Sequence, residues 1–433
     1  MTSAISLTCA ALVAATGALA CTVTDNIVGN KPSAASSGGA GNHDGVGAAG
    51  PSSGQGGSAG RLVDAIPNDG GASTIGPTRP NELSGTGDGT FAAHAEYAVG
   101  DGPVSVALGD LNADGKLDLV SANSGVATVS VLLGRGDGAF EAKLDYETGD
   151  EPYPLAIGDL NSDGKLDLVV GNGSASSVSV LIGIGDGSFA IKVDYATGAG
   201  PYAVALGDLN GDGKLDIVAA DQRIDEASVL LGKGDGTFAD KVNYATGQGP
   251  GSLALADFDS DGKLDLAASS YSSDTAIVQM GTGDGRFGSA TEYAVAKGPQ
   301  FVVSGDLNGD GKLDLATAAP AATGVSLLFG TGAGRFAGAV DRATNSYPGA
   351  LALADLNGDA NLDILATDTF ASAVSVLLGT GVGHFADKAN YQTGLHPHSV
   401  AVGDLNKDGK LDLAVANFGS DSVSVLLGLG KAN

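Results

Sequence analysis

The stretch Asp110-Leu-Asn-Ala-Asp-Gly-Lys-Leu-Asp118 returns seven times, its first residue falling at Asp110, Asp159, Asp208, Asp257, Asp306, Asp355 and Asp404. Successive copies lie 49 residues apart, without insertion or deletion. A phenylalanine column keeps the same interval: Phe91, Phe140, Phe189, Phe238, Phe287, Phe336 and Phe385. From Phe91 to Asn433 the chain holds 343 residues, which is seven periods. A fixed period of this size marks a repeat architecture, in which one structural unit is copied and stacked.

Outward from the loop, one unit reads as four strands. Val104-Ser-Val-Ala-Leu-Gly109 alternates with the two-residue period of a strand. Leu119-Val-Ser-Ala122 follows the loop as a second strand. The polar stretch Asn123-Ser-Gly-Val-Ala-Thr128 turns the chain into a third, Val129-Ser-Val-Leu-Leu-Gly134. A glycine turn, Gly134-Arg-Gly-Asp-Gly-Ala139, leads to an expected fourth strand starting at Phe140. No segment carries a helical period. Four short antiparallel strands per unit match one propeller blade, without the Trp-Asp dipeptide of a WD40 unit.

The ends set the blade number. The last unit begins at Pro397 and stops at Leu427-Gly428, after its third strand. Its fourth strand is supplied from the front, within Gly85–Tyr97. Pairing the first strand with the last three leaves no open sheet edge. The expected fold is therefore all-β: a seven-bladed β-propeller closed by pairing the N-terminal strand with the last blade, over residues 83–433.

Composition narrows the function. Seventy glycines, no Trp and 43% hydrophobic residues describe a β-rich chain with enough apolar material for a large core. A net charge of −28 excludes nucleic acid, whose phosphates would be repelled, and suits a protein that gathers cations. Both cysteines, Cys9 and Cys21, precede the repeats, so no disulfide staples them. Residues 1–20 read as a secretory signal peptide: a small, apolar run ends in Ala18-Leu19-Ala20. Cleavage there leaves Cys21 first, which resembles a bacterial lipoprotein signal with Cys21 lipidated; the alternative is a free thiol after ordinary cleavage. Residues 21–82, rich in Gly and Ser, read as a disordered tether. As a coil of about 60 residues it spans roughly 40–45 Å, enough to hold a domain clear of a membrane.

Asp110, Asn112, Asp114 and Asp118 occupy positions one, three, five and nine of the loop, with Gly115 at six. Hard oxygens at alternating positions, with a glycine for a sharp turn, are what a calcium shell requires. The carbonyl of Lys116 at position seven is the fifth expected ligand, its ammonium group turned outward. An EF-hand is excluded, because position twelve is Ser121 rather than Glu and strands flank the loop.

The loop, the 49-residue period and the glycine turn before Phe together resemble the FG-GAP or VCBS repeats of integrin α-chain propellers. The resemblance covers residues 83–433, and it implies one calcium per blade, about seven in all. Carried over, it implies a second site at Asp159, Asn161, Asp163, Lys165 and Asp167. A third uses Asp208, Asn210, Asp212, Lys214 and Asp216, and a fourth Asp257, Asp259, Asp261, Lys263 and Asp265, with an extra carboxylate. The fifth is Asp306, Asn308, Asp310, Lys312 and Asp314; the seventh is Asp404, Asn406, Asp408, Lys410 and Asp412. The sixth departs: Asp355, Asn357, Asp359, Asn361 and Asp363 surround Ala360 in the glycine slot, where a Cβ strains the turn. These loops hold 22 of the 50 acidic residues, so seven calcium ions would halve the net charge to −14. The ions are expected to be structural, with the roughly 10⁻⁴–10⁻³ M affinity of extracellular modules.

Other signals carry less. Arg135-Gly136-Asp137 spells an integrin-recognised tripeptide, but equivalent turns place Thr86, Ile184, Lys233 or Thr282 before the same Gly-Asp. The recurring tyrosines read as packing residues, and the recurring prolines, Pro103 to Pro397, as entries to each first strand. Five scattered histidines, no Cys in the repeats and no nucleophile elbow argue for a non-enzyme.

A partner is expected on the face opposite the metal loops, where the repeats diverge. Tyr153, Tyr202, Arg223, Tyr271, Phe370, His396, His398 and Phe418 fall there, as exposed aromatics with polar neighbours. The expected function is an extracellular or cell-surface, calcium-binding interaction or adhesion module with a protein or glycan partner. The alternative is a lectin or polysaccharide-active enzyme on the same scaffold, disfavoured by the absence of Trp.

Overall fold

A computed structural model describes residues 83–344 and 347–430. The signal peptide, Cys21 and the tether lie outside the described residues. Seven four-stranded antiparallel sheets account for nearly all the secondary structure, joined by two short two-stranded ribbons. Among the described residues the only helical pieces are one-turn segments, Gln222–Ile224 and Pro320–Ala322. None of the described helices is long and apolar enough to cross a membrane.

Blade one is Pro103–Gly109, Asp118–Asn123, Thr128–Leu132 and Leu144–Glu147, paired in that order. Its second strand is buried along its whole length. The inner strands are nearly as covered, so their two faces pack on the two neighbouring blades and read as apolar runs. Val106, Leu119 and Leu132 of blade one join Ala401, Ala414 and Val425 of blade seven in one cluster. Val120 and Val131, on the other face, join Leu155 and Leu168 of blade two. The core is thus a set of clusters between blades, and each blade is stable only beside its neighbours.

The fourth strand starts later than the sequence pattern implies. It covers Leu144–Glu147, while Phe140 forms an isolated bridge to Gly134. The reason is packing: Phe140 turns inward and meets Tyr97 edge-on at 5.2 Å, and its equivalents repeat the contact, as in Tyr146–Phe189 at 5.4 Å. The column of tyrosines and phenylalanines is therefore inter-blade packing, as its periodicity suggests. The outer strands are exposed edges, and charge protects them: Lys143 pairs with Asp145, and Lys192 with Asp194.

The ring closes as the ends require. Ala95–Ala98 is the fourth strand of blade seven, in register Ala95↔Val425 to Ala98↔Ser422. Phe91 adds a bridge to Gly428.

Candidate functional site

The seven acidic loops lie at one end of the blades, between the first and second strands. Each is wound by its own side chains. Asp110 takes the amides of Asp114 (3.0 Å) and Gly115 (2.7 Å), and Asp114 takes that of Lys116 (2.9 Å). Asp118 is fully buried and ties the loop to the glycine turn: Oδ1 accepts from Gly134 N (2.7 Å) and Oδ2 from Leu111 N (2.9 Å). A Cβ on Gly134 would sit 2.1 Å from the Leu117 carbonyl, which explains glycine there. The next blade clasps the other side, where Gly187 N donates to the Leu111 carbonyl (3.2 Å). The loops are therefore rivets between blades.

Burial pushes Asp118, Asp167, Asp216, Asp265 and Asp412 up to about 6, despite the amides each accepts; the loop's other carboxylates add to the shift. Asp314 and Asp363 are pushed up to about 7 for the same reasons. A divalent cation beside these groups would remove that penalty. At the fourth loop the donor set fits one, with carboxylate oxygens of Asp257, Asp259 and Asp265 within 4.8 Å of one another. Oxygens around calcium, each 2.3–2.6 Å from it, stand at most about 5 Å apart.

Two details differ from the sequence expectation. The lysine at position seven folds back rather than outward, with Lys116 Nζ 2.8 Å from Asp114 Oδ2 and Lys312 Nζ 2.9 Å from Asp310 Oδ2. The two side chains leave one tight turn two residues apart, and an acidic loop attracts the ammonium group. Position four is also left-handed, a constraint the sequence pattern hides. Ala113 (φ 55°), Ser162 (59°), Ser260 (64°) and Lys407 (60°) occupy it in four loops and Gly211, Gly309 and Gly358 in the others. Ala360 adopts φ 65° in the glycine slot of the sixth loop, within the strained region expected for it.

The opposite end carries the divergent residues, and their exposure is mixed. Tyr153 and Tyr202 are not exposed: they stack at 4.8 Å and are buried with Val104. His398 is buried too, stacked on Phe418 at 5.1 Å, and burial pulls its imidazole down to about 4. These residues sit at or beside the starts of inner strands, where neighbouring blades converge and cover them. The surface belongs to others. Phe370 is 60% exposed and packs on Tyr347 at 4.9 Å, with His396 edge-on at 6.4 Å. Tyr271 is 40% exposed, and Arg223 lies 3.7 Å from Glu151.

Glu151 was missed, and a signal for it exists. The residue before each recurring proline is Gly102, Gly200, Gly249 or Gly298 in four blades, all with φ between 60° and 71°. In the other three blades it is Glu151 (52°), Tyr347 (64°) and His396 (52°). A side chain in this conformation costs about 1–2 kcal/mol relative to a right-handed one.

Fold and loops together define a closed, seven-bladed propeller with one acidic loop per blade. Overlapping matches to the FG-GAP-like repeat family cover residues 110–170, 159–219, 208–268, 257–317, 306–366 and 355–415. The chain belongs to that family. Among curated proteins, none matches the sequence. Solved structures similar to it include virginiamycin B lyase from Staphylococcus aureus (15% identity, TM-score 0.56, covering 78% of this chain and 99% of that one). Hydrazine synthase from Kuenenia stuttgartiensis is similar at 19% identity and TM-score 0.56, covering 77% and 97%. BBS1N, solved in complex with ARL6DN, reaches TM-score 0.58 at 12% identity, covering 79% and 98%. At these identities the likeness is one of fold.

Proposed function

We propose that this protein is a calcium-stabilised binding propeller, secreted or held on the cell surface, whose face opposite the acidic loops engages a protein partner. Calcium would be held by the carboxylate and amide oxygens at positions one, three, five and nine and the carbonyl at seven, supplying charge neutralisation between blades. The partner reading rests on one observation: Glu151, Tyr347 and His396 keep left-handed backbone where the other blades use glycine, each directly before the proline that opens its blade's first strand. Strain retained at several equivalent positions suggests selection for the side chains. Exposed Phe370 and Tyr271 and the Arg223–Glu151 pair supply anchors of the types interfaces favour. The described chain enters the propeller beside Asp355, on the metal-loop end and away from this face.

Phe370 beside Tyr347 would also suit stacking on a sugar ring, which keeps a lectin or polysaccharide-active enzyme as the second reading. A pull-down from the organism's envelope, run with the native chain and with Arg223→Ala/Tyr271→Ala/Phe370→Ala, separates them when paired with a glycan array and a polysaccharide-cleavage screen. A protein retained by the native chain and lost by the triple variant supports the proposal. A variant that keeps every detected interaction removes this face from it.

A further inference from the structure

The seam between blades six and seven carries an added segment of chain. At five seams a glycine turn donates an amide to a metal-loop carbonyl of the preceding blade, as Gly138 does to Leu405, Gly187 to Leu111 and Gly236 to Leu160. At the sixth loop the segment Leu83–Thr86 takes this place. Gly85 N donates to the Asp355 carbonyl and Asp355 N to the Leu83 carbonyl, both at 2.7 Å, forming a parallel bridge at Ser84. Ser84 Oγ donates to Asp355 Oδ2 (2.9 Å), a side chain that also collects the amides of Gly358 and Ala360. Thr86 reaches across to the seventh loop, where N and Oγ1 both donate to the Gly409 carbonyl (2.9 and 3.0 Å). Asp355 is buried beneath the segment, as Asp159 and Asp306 are in loops two and five without one.

We infer that Leu83–Thr86 is a latch whose closure depends on calcium in loops six and seven. The inference rests on the calcium reading of the loops and adds a consequence particular to this seam. Asp355 is position one of loop six, and Gly409 is the turn residue of loop seven. An ion that fixes these two loops fixes the backbone groups the segment binds. Without one, three carboxylates of loop six, Asp355, Asp359 and Asp363, repel one another and loosen the dock. Coupling of this kind is reciprocal: calcium favours the docked segment, and the docked segment favours calcium. The ring itself has a second closure in the Ala95–Ala98 strand, so the latch opens without opening the propeller. The segment is also the point at which everything upstream joins the fold, so calcium would decide how firmly that attachment is held.

The test is hydrogen exchange on the full chain, with calcium and with chelator, beside a calcium titration by calorimetry. With calcium, the amides of Gly85 and Thr86 are expected to be protected. On chelation they should exchange freely while those of the Ala95–Ala98 strand stay protected. Ser84→Ala/Thr86→Ala should weaken a subset of the ions, one or two of them, by about tenfold. Ser174→Ala, which removes a hydroxyl contact to Glu151 on the opposite face, should leave the titration unchanged. Calcium binding with exchange at Gly85 and Thr86 indifferent to it, or an unaltered titration in the double variant, overturns the latch and leaves the calcium reading standing. Absence of any calcium binding overturns both.

Discussion

Replacing Asp167 with asparagine isolates what a position-nine carboxylate does. The side chain is fully buried, so the isosteric amide opens no cavity. Its two oxygens accept from Leu160 N (2.8 Å) and Gly183 N (2.7 Å), and an amide can serve only one of them. One buried N–H then loses a charge-assisted bond, a loss of about 2–3 kcal/mol. Removing the charge returns part of this, because burial already holds Asp167 up at about 6. In chelator at pH 7 the net destabilisation should be about 1–2 kcal/mol. Calcium adds a second term. At about 10 mM, an ion with a dissociation constant near 10⁻⁴–10⁻³ M contributes about 1.4–2.7 kcal/mol per loop, which the variant forfeits. Urea unfolding of Asp167→Asn and parent should thus differ by about 1–2 kcal/mol in chelator and about 3–4 kcal/mol in calcium. Equal midpoints in chelator would refute the hydrogen-bonding argument. A difference that calcium does not widen would refute the ion's place in the loop.

Further outcomes follow from other residues. Ala360→Gly should raise stability by about 0.5 kcal/mol in urea, since relief of left-handed strain exceeds the entropy glycine adds to the unfolded chain. Seven carboxylates held up at about 6 to 7 bind protons in the folded chain between pH 4 and 7 that the unfolded chain has released. Metal-free protein should therefore lose stability as pH rises through that window, whereas calcium affinity should climb, both measurable as unfolding midpoints at two pH values. His398 acts with the opposite sign: its imidazole, pulled down to about 4, should cost stability as pH falls from about 6.5, and His398→Phe should flatten that component. Tyr153→Ala, emptying a buried stack, should cost about 3 kcal/mol, and Phe370→Ala, at an exposed ring, within about 0.5 kcal/mol, by urea midpoint.

Much of the candidate site could be read without coordinates, and the residues show why. Asp110, Asn112, Asp114 and Asp118 fall within nine residues of one loop, so their geometry is local and their spacing alone describes it. The partner face is different in kind. Tyr153 and Tyr202 stand 49 residues apart and stack only because adjacent blades bring two strand starts together. Polarity and position in a loop suggested exposure, and neighbouring blades covered them. Glu151 had a signal in the residue before the recurring proline, but its meaning needed the positive φ of that slot.

The sequence by itself determined the repeat, the blade count, the borrowed closing strand and the acidic loops, because each follows from a period or from contacts within one unit. Only the tertiary structure decided which divergent side chains stay in solvent, and that Leu83–Thr86 lies across loops six and seven. Such relations join residues as far apart as Thr86 and Gly409, and depend on how the ring's curvature places one blade against the next.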